Sequence, residues 1–293
     1  MNGLVLIDKP AGCTSHDVVN RWRKLANTKR VGHLGTLDPM ATGLLVLMTG
    51  RATRLAQYLG ASDKTYVAEI VFGIISDTYD IEGVSVRTGV PAPSDVTLVR
   101  RALDPFRGTF LQTPPAVSAK KVHGVAAYKL VRKQIPVDLR AVEVAVKRLE
   151  VESIEPGKIE LVVTCSSGTY IRSLAHDLGQ QLGCGAVLSK LRRIQSGEFT
   201  IKQARTLDEF GQLAEADQLC DAVIPPARLL PQFPAEYFDS RIEAQIRQGR
   251  DFRTSPFVVP PGAQFVKALS HSGELIAIGE LIIPNFYHPA TVL

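Results

Sequence analysis

Gly32-His33-Leu34-Gly35-Thr36-Leu37-Asp38-Pro39-Met40-Ala41-Thr42-Gly43 is the stretch on which the reading of this 293-residue chain turns. Three glycines and a proline within twelve residues argue against helix or strand. Yet the segment has few solubilising charges and runs straight into the apolar residues 44–48. That composition suits a glycine-rich loop pinned between buried strands, which can hold an active residue rigidly. Its only carboxylate is Asp38. Taken alone, Asp-Pro is a common turn dipeptide whose aspartate bonds nearby backbone, so a chemical role needs support from the rest of the chain.

Working outward, residues 3–7 read as a buried strand that stops at the turn Asp8-Lys9-Pro10-Ala11-Gly12. A helix follows with Ser15 as its N-cap, and Val18, Val19, Trp22 and Leu25 share one face. Arg21, Arg23 and Lys24 occupy the other face, with Lys29 and Arg30 beyond. On the other side of the loop, residues 64–72 alternate as a strand with Tyr66, Ala68 and Ile70 on one face. A polar turn spans 77–83, and Ser94 caps a helix ending at Asp104-Pro105. Residues 110–140 hold three prolines and the basic residues Lys120, Lys121, Lys129, Arg132, Lys133 and Arg140. They read as a surface flap, with a short helix over 126–133, that contacts RNA phosphates or is simply solvated. Strands follow at 142–147 and 159–164. Ser166-Ser167-Gly168-Thr169 opens a helix with Ile171, Leu174, Leu178 and Leu182 on one face, and 187–194 is another strand.

Strands and helices thus mix without regular βαβ alternation, which predicts an α+β fold with a mostly antiparallel sheet. Residues 221–235, with four prolines, read as a linker. Beyond it, Ser240 and Glu243 form a capping box, Gly249 ends that helix, and 265–269 and 274–283 are strands. This predicts a main domain over 1–225, which the resemblance given below marks as the catalytic one, and a small β-rich module over 235–293, whose Arg241, Arg247, Arg250, Arg253 and Lys267 are available for phosphates.

Composition narrows the function classes. Hydrophobic residues make up 45% and charged residues 22%, as in a soluble globular protein able to bury its own core. The net charge of +5 is compatible with a polyanionic partner. Cys13, Cys165, Cys184 and Cys220 form no C-x-x-C pair and no zinc-finger spacing with the six histidines, so reduced thiols and no metal are expected. The N-terminus lacks a signal-peptide pattern and the apolar runs are too short to span a membrane, which predicts a cytoplasmic protein.

Five segments resemble the TruB family of tRNA pseudouridine synthases. They are Asp8-Lys9-Pro10-Ala11-Gly12-Cys13-Thr14-Ser15, the Gly32–Gly43 loop, Lys64-Thr65-Tyr66, Gly168-Thr169-Tyr170-Ile171-Arg172-Ser173-Leu174-Ala175-His176-Asp177-Leu178-Gly179, and Leu191-Arg192-Arg193. Order and spacing agree over residues 3–225. Val117 departs from the pattern, standing where many members carry tyrosine, and Leu34 occupies a variable position. The resemblance implies the pseudouridine-synthase fold, an inserted RNA-binding segment over about 110–140, and a C-terminal module similar to PUA RNA-binding domains. It implies isomerisation of uridine 55 in the T-loop of tRNA by a monomer, with no guide RNA, metal or organic cofactor.

The resemblance assigns the catalytic carboxylate to Asp38. A neighbouring cation favours its charged form, and Arg172, near a helix start, is the residue proposed. Tyr66 stacks on the everted base or assists proton transfer; its alternative is a core tyrosine. His33 resembles the family residue that occupies the space vacated by flipped bases; its alternative is a structural histidine. Lys9 bonds a phosphate or braces the loop, and Leu191 packs on the base edge or is ordinary core. Three rivals remain: a non-catalytic RNA-binding protein, a synthase acting on guide-bound or ribosomal RNA, and a glycoside hydrolase, which lacks a matching acidic partner.

Overall fold

The computed structural model describes every residue except 119–120, 123–124, 128–129, 131–132, 134 and 136–138. The short helix expected over 126–133 lies across residues outside that description, as do the side chains of Lys120, Lys121, Lys129 and Arg132.

The first half of the chain supplies β1 (Gly3–Lys9), β2 (Val31–His33), β3 (Thr42–Thr49) and β4 (Lys64–Phe72). A small hairpin, β5 (Ile74–Ser76) with β6 (Ser85–Arg87), comes next, then β7 (Gly108–Gln112) and a second hairpin, β8 (Lys121–Val122) with β9 (Val125–Ala126). The long strands β10 (Val142–Glu155), β11 (Lys158–Cys165) and β12 (Ala186–Ser196) follow, and then the short β13 (Phe199–Thr200). Among the described residues they build a nine-stranded sheet in the order β1-β3-β12-β4-β11-β10-β7, with β2 beside β3 and β13 beside β12. Every pairing is antiparallel except β3 with β12, where Arg192 faces Thr42 and Arg193 faces Gly43. The fold is therefore α+β with a mixed, mostly antiparallel sheet, as the patterning predicted.

β1 and β3 are buried on both faces, which explains their near-continuous apolar sequences. Val5, Ile7, Leu45 and Leu47 pack with Val18, Val19 and Trp22 of the helix Ser15–Leu25. On the opposite face, Leu4, Leu6, Leu44, Val46 and Met48 join a second cluster with Leu229, Leu230, Leu269, Leu275 and Ile278. That second face covers the main sheet with the five-stranded C-terminal sheet. Its order is β14 (Ala235–Phe238), β16 (Phe265–Ser270), β17 (Leu275–Ile283), β18 (Phe286–Val292) and β15 (Phe252–Arg253). At about 1.5–3 kcal/mol per fully buried aliphatic side chain, this shared cluster fixes one sheet against the other.

Several local expectations change. Thr14, not Ser15, caps the first helix, through a capping box with Asp17. Asp95 caps Val96–Ala102 and Asp239 caps Ser240–Arg247. In each case the cap lies one position from the expected residue or is the acidic neighbour, whose oxygens accept the helix N–H groups equally well. The segment 221–235 is no loose linker: Leu4 and Ile224 exchange two backbone hydrogen bonds of 2.9 Å, and Leu229 and Leu230 are buried. β14, only four residues long, and β18, which mixes polar with apolar residues and carries a proline, give no clear strand pattern in the sequence. Lys267 is not available for phosphates, because its ammonium donates to the Ala227 and Leu229 carbonyls. Arg247 is tied to Glu243 and to the Leu293 carbonyl.

One glycine is dictated by the parallel pairing. Gly43 has φ +99, and a Cβ there would lie 2.3 Å from the Arg193 carbonyl oxygen. Gly43→Ala should destabilise the protein by about 2–4 kcal/mol, read as a lower urea midpoint with unchanged m.

Candidate active site

The loop carrying Asp38 is held from beneath by basic side chains turned inward. Lys9 is completely buried, and its ammonium donates to the carbonyls of Ala41 at 2.6 Å, Pro10 at 2.9 Å and Pro39 at 3.2 Å. Of the two readings of Lys9, this geometry is that of the brace. A phosphate contact is corrected, since no donor remains and no solvent reaches it. Arg193, 1% exposed, donates from Nε to Leu44 and from its terminal nitrogens to Gly35 and Thr36, all at carbonyls. Ser15 Oγ both donates to the Leu37 carbonyl and accepts from the Leu37 N–H. Leu34 and Leu37 anchor the loop in the two cores. Few loop groups are left free to move, so the backbone that carries Asp38 is fixed, and its carboxylate is then met by Arg172.

Arg172 meets it from the second residue of the helix Ile171–Gln181. One terminal nitrogen donates to Asp38 Oδ1 at 3.2 Å. Nε lies 3.0 Å from Oδ2, an ion-pair distance, although its N–H is too misaligned for a hydrogen bond. The other terminal nitrogen donates to Asp80 Oδ2 at 3.2 Å and to the Thr78 carbonyl at 3.1 Å. The Val117 carbonyl accepts a further bond at 3.0 Å. Side-chain exposure is 6% for Arg172 and 5% for Asp80, against 32% for Asp38. Protein atoms crowd Asp38 on most sides, while its open face looks into a cavity. Burial raises its pKa, Arg172 opposes that, and Asp80 adds to it.

The cavity has a volume of about 200 Å³, and Asp38, Tyr66, Arg172 and Leu191 all line it, with Tyr170 and Arg193. Tyr66 arrives by register: on β4 it faces Val163 on one side and Arg193 on the other. Burial pushes the phenols of Tyr66 and Tyr170 up, so both are protonated at neutral pH. Tyr170 is held through its backbone, which exchanges two hydrogen bonds with the Gln112 side chain. His33 is not part of the cavity lining. It sits half-buried on β2, its pKa lowered by burial and by Arg193, and its Nδ1 has no hydrogen-bond partner. Among the described residues no cluster of His, Cys, Asp and Glu suits a metal ion. No helix of these residues is long and apolar enough to cross a membrane.

A carboxylate, a buried cation and neutral phenols thus share one cavity of about 200 Å³. Residues 23–171 match the model for the TruB family pseudouridylate synthase N-terminal domain, and 172–230 match the tRNA pseudouridylate synthase B C-terminal domain. The chain belongs to the TruB family of pseudouridylate synthases. It is 51% identical over 293 residues, all of both chains, to tRNA pseudouridine synthase B of Solibacter usitatus (strain Ellin6076). It is 41% identical to that of Geobacter sulfurreducens (strain ATCC 51573 / DSM 12127 / PCA), over 85% of this chain and 82% of the other. Among solved structures, a Cbf5-Nop10-Gar1 complex matches with TM-score 0.70 and 26% identity, over 97% of this chain and 79% of that one. An archaeal box H/ACA Nop10-Cbf5 complex, at 24% identity and TM-score 0.71 over 99% and 85%, shares the fold. This TruB-family chain is thus an isomerase that turns uridine into pseudouridine.

Tyr170, which lines the cavity, was visible only within a motif, and two further residues of the site escaped the sequence reading. Asp80 lies within 77–83, which reads as a polar turn, yet its carboxylate is buried and accepts from Thr78 Oγ1, the Glu82 N–H and Arg172. Arg193 was visible only as part of a motif, without a task. Nothing local marks either residue as buried.

The titration of Asp38 gives a signed expectation. Its folded pKa lies above its unfolded one, so folding favours the protonated acid. That contribution is full below the unfolded value and is lost as pH rises through the folded one. Ionised Asp38 therefore costs stability at neutral pH. Asp38→Asn should abolish pseudouridine formation while leaving Tm unchanged or higher in a calorimetric scan at pH 7.

Proposed function

We propose that this enzyme isomerises uridine 55 in the T-loop of tRNA, as a single chain without guide RNA, with Asp38 as its catalytic carboxylate. The observation that carries the reading is Asp38 at the cavity wall, paired with Arg172 and sharing that cavity with Tyr66 and Leu191. Full-length identity of 51% to a relative named tRNA pseudouridine synthase B supports tRNA as the substrate. A cavity this narrow admits a base and not a stacked helix, so the target uridine enters flipped out of its stack.

The atoms balance without redox or energy input. The bond from ribose C1′ to uracil N1 breaks, the base turns, C1′ bonds to C5, the C5 proton leaves and N1 takes up a proton. Asp38 acts on the electron-poor sugar or on the ring, as a nucleophile or as the charge that stabilises the cation. Arg172 keeps that carboxylate oriented and opposes its protonation. Tyr66 lines the same cavity, so it would stack on the base, and its hydroxyl, kept neutral by burial, would assist proton transfer. Leu191 packs on the base edge. His33 does not line the cavity, which fits the reading that it fills space vacated by flipped nucleotides and does not touch the reacting base.

Purified protein and an unmodified tRNA transcript test the reading. Mapping should find pseudouridine at position 55 in the absence of any other RNA, and Asp38→Ala should bind tRNA without forming product. Product only after a guide RNA is added, or only in ribosomal RNA, would move the assignment to the guide-bound or ribosomal class. Asp38→Ala with wild-type turnover would remove the carboxylate from the mechanism.

A further inference from the structure

The turn that carries Asp80 is gripped at three consecutive residues by one face of the helix Ile171–Gln181. Arg172 donates to the Thr78 carbonyl at 3.1 Å and to the Asp80 carboxylate at 3.2 Å. Between these contacts, the ring of Tyr79 stacks on that of His176 with centroids 3.8 Å apart and planes 13° from parallel. Arg172 and His176 stand at i and i+4, so they lie on the same face. β12 holds the turn from the other side, through Leu188 N–H to the Tyr79 carbonyl and Ile81 N–H to the Leu188 carbonyl, both at 3.0 Å.

Tyr79 has φ +64, the left-handed region that side-chain-bearing residues other than Asn and Asp seldom occupy. This conformation turns one residue's ring onto the helix and the next residue's carboxylate into the core. It needs a compensating contact. Burial lowers the pKa of His176 and its Nδ1 has no hydrogen-bond partner, so a neutral ring held by stacking is what the geometry contains.

We propose that Tyr79 and His176 are positioning residues for the reaction: their stack locks the left-handed turn that presents Asp80 to Arg172, and through Arg172 it sets the orientation of Asp38. This rests on the assignment of Asp38 as the catalytic carboxylate. Neither ring reaches the cavity, so the stack acts on turnover and not on RNA binding.

The test compares His176→Ala, His176→Phe and Asp80→Asn, singly, with the His176→Ala/Asp80→Asn double variant, in single-turnover assays on unmodified tRNA. His176→Ala should lower the rate constant about tenfold with tRNA Kd unchanged. His176→Phe, which keeps an aromatic face, should restore it to within about twofold. In the Asp80→Asn background, His176→Ala should cost almost nothing more, because both act through one contact. A second readout needs no substrate: amide exchange at Ile81 should quicken roughly 3- to 10-fold in His176→Ala and return in His176→Phe. Multiplying rate losses, an unchanged His176→Ala rate, or unchanged exchange at Ile81 would overturn the inference. Should wild type leave tRNA unmodified, the substrate assignment fails, and the exchange result still decides the role of the stack.

Discussion

A single guanidinium, almost closed off from water, is shared between two carboxylates. Arg172 touches Asp38 with one edge and Asp80 with the other, and two backbone carbonyls take more of its protons. Burying three charges is expensive, and such groups contribute little net stability even when well paired. What the arrangement supplies is direction. With Asp80 buried and fixed, the cation cannot swing, and Asp38 meets it in one orientation with its remaining face open to the cavity. The rest of the molecule is built to keep these three groups in register.

Much of that construction uses basic residues in the interior. Lys9 and Arg193 hold the Asp38 loop by its carbonyls, Lys64 donates to Gly60 and Ser62, and Lys267 donates to Ala227 and Leu229. A buried ammonium survives only when its protons are taken up by oxygens, and backbone carbonyls in a glycine-rich loop are the nearest supply. The excess of basic residues over acidic ones therefore overstates the cationic surface open to RNA. Some of the charges that look like phosphate ligands in the composition are internal struts.

The mixed sheet explains why the site lies where it does. β3 and β12 run parallel for two residue pairs only, and the Asp38 loop enters at the start of β3. Tyr66 on β4 and Leu191 on β12 lie beside that junction, and the helix bearing Arg172 follows β11, the other neighbour of β4. Four separate stretches converge because sheet order, not chain order, makes them neighbours.

Local chemistry in the sequence settled much of this. Alternation over 64–72, the paired apolar runs of β1 and β3, and the lack of βαβ alternation made the α+β class legible, whereas Asp38 was singled out only by the resemblance of five motifs to a family. Periodicity and backbone sterics act over a few residues, so they can be read without coordinates. Tertiary structure alone decided that Asp80 is buried under Arg172, that Lys9 is a brace, that His33 stands outside the cavity and that 221–235 packs against β1. Each depends on which distant segment covers the residue, and a polar side chain in a turn has the same local sequence whether water or a guanidinium meets it.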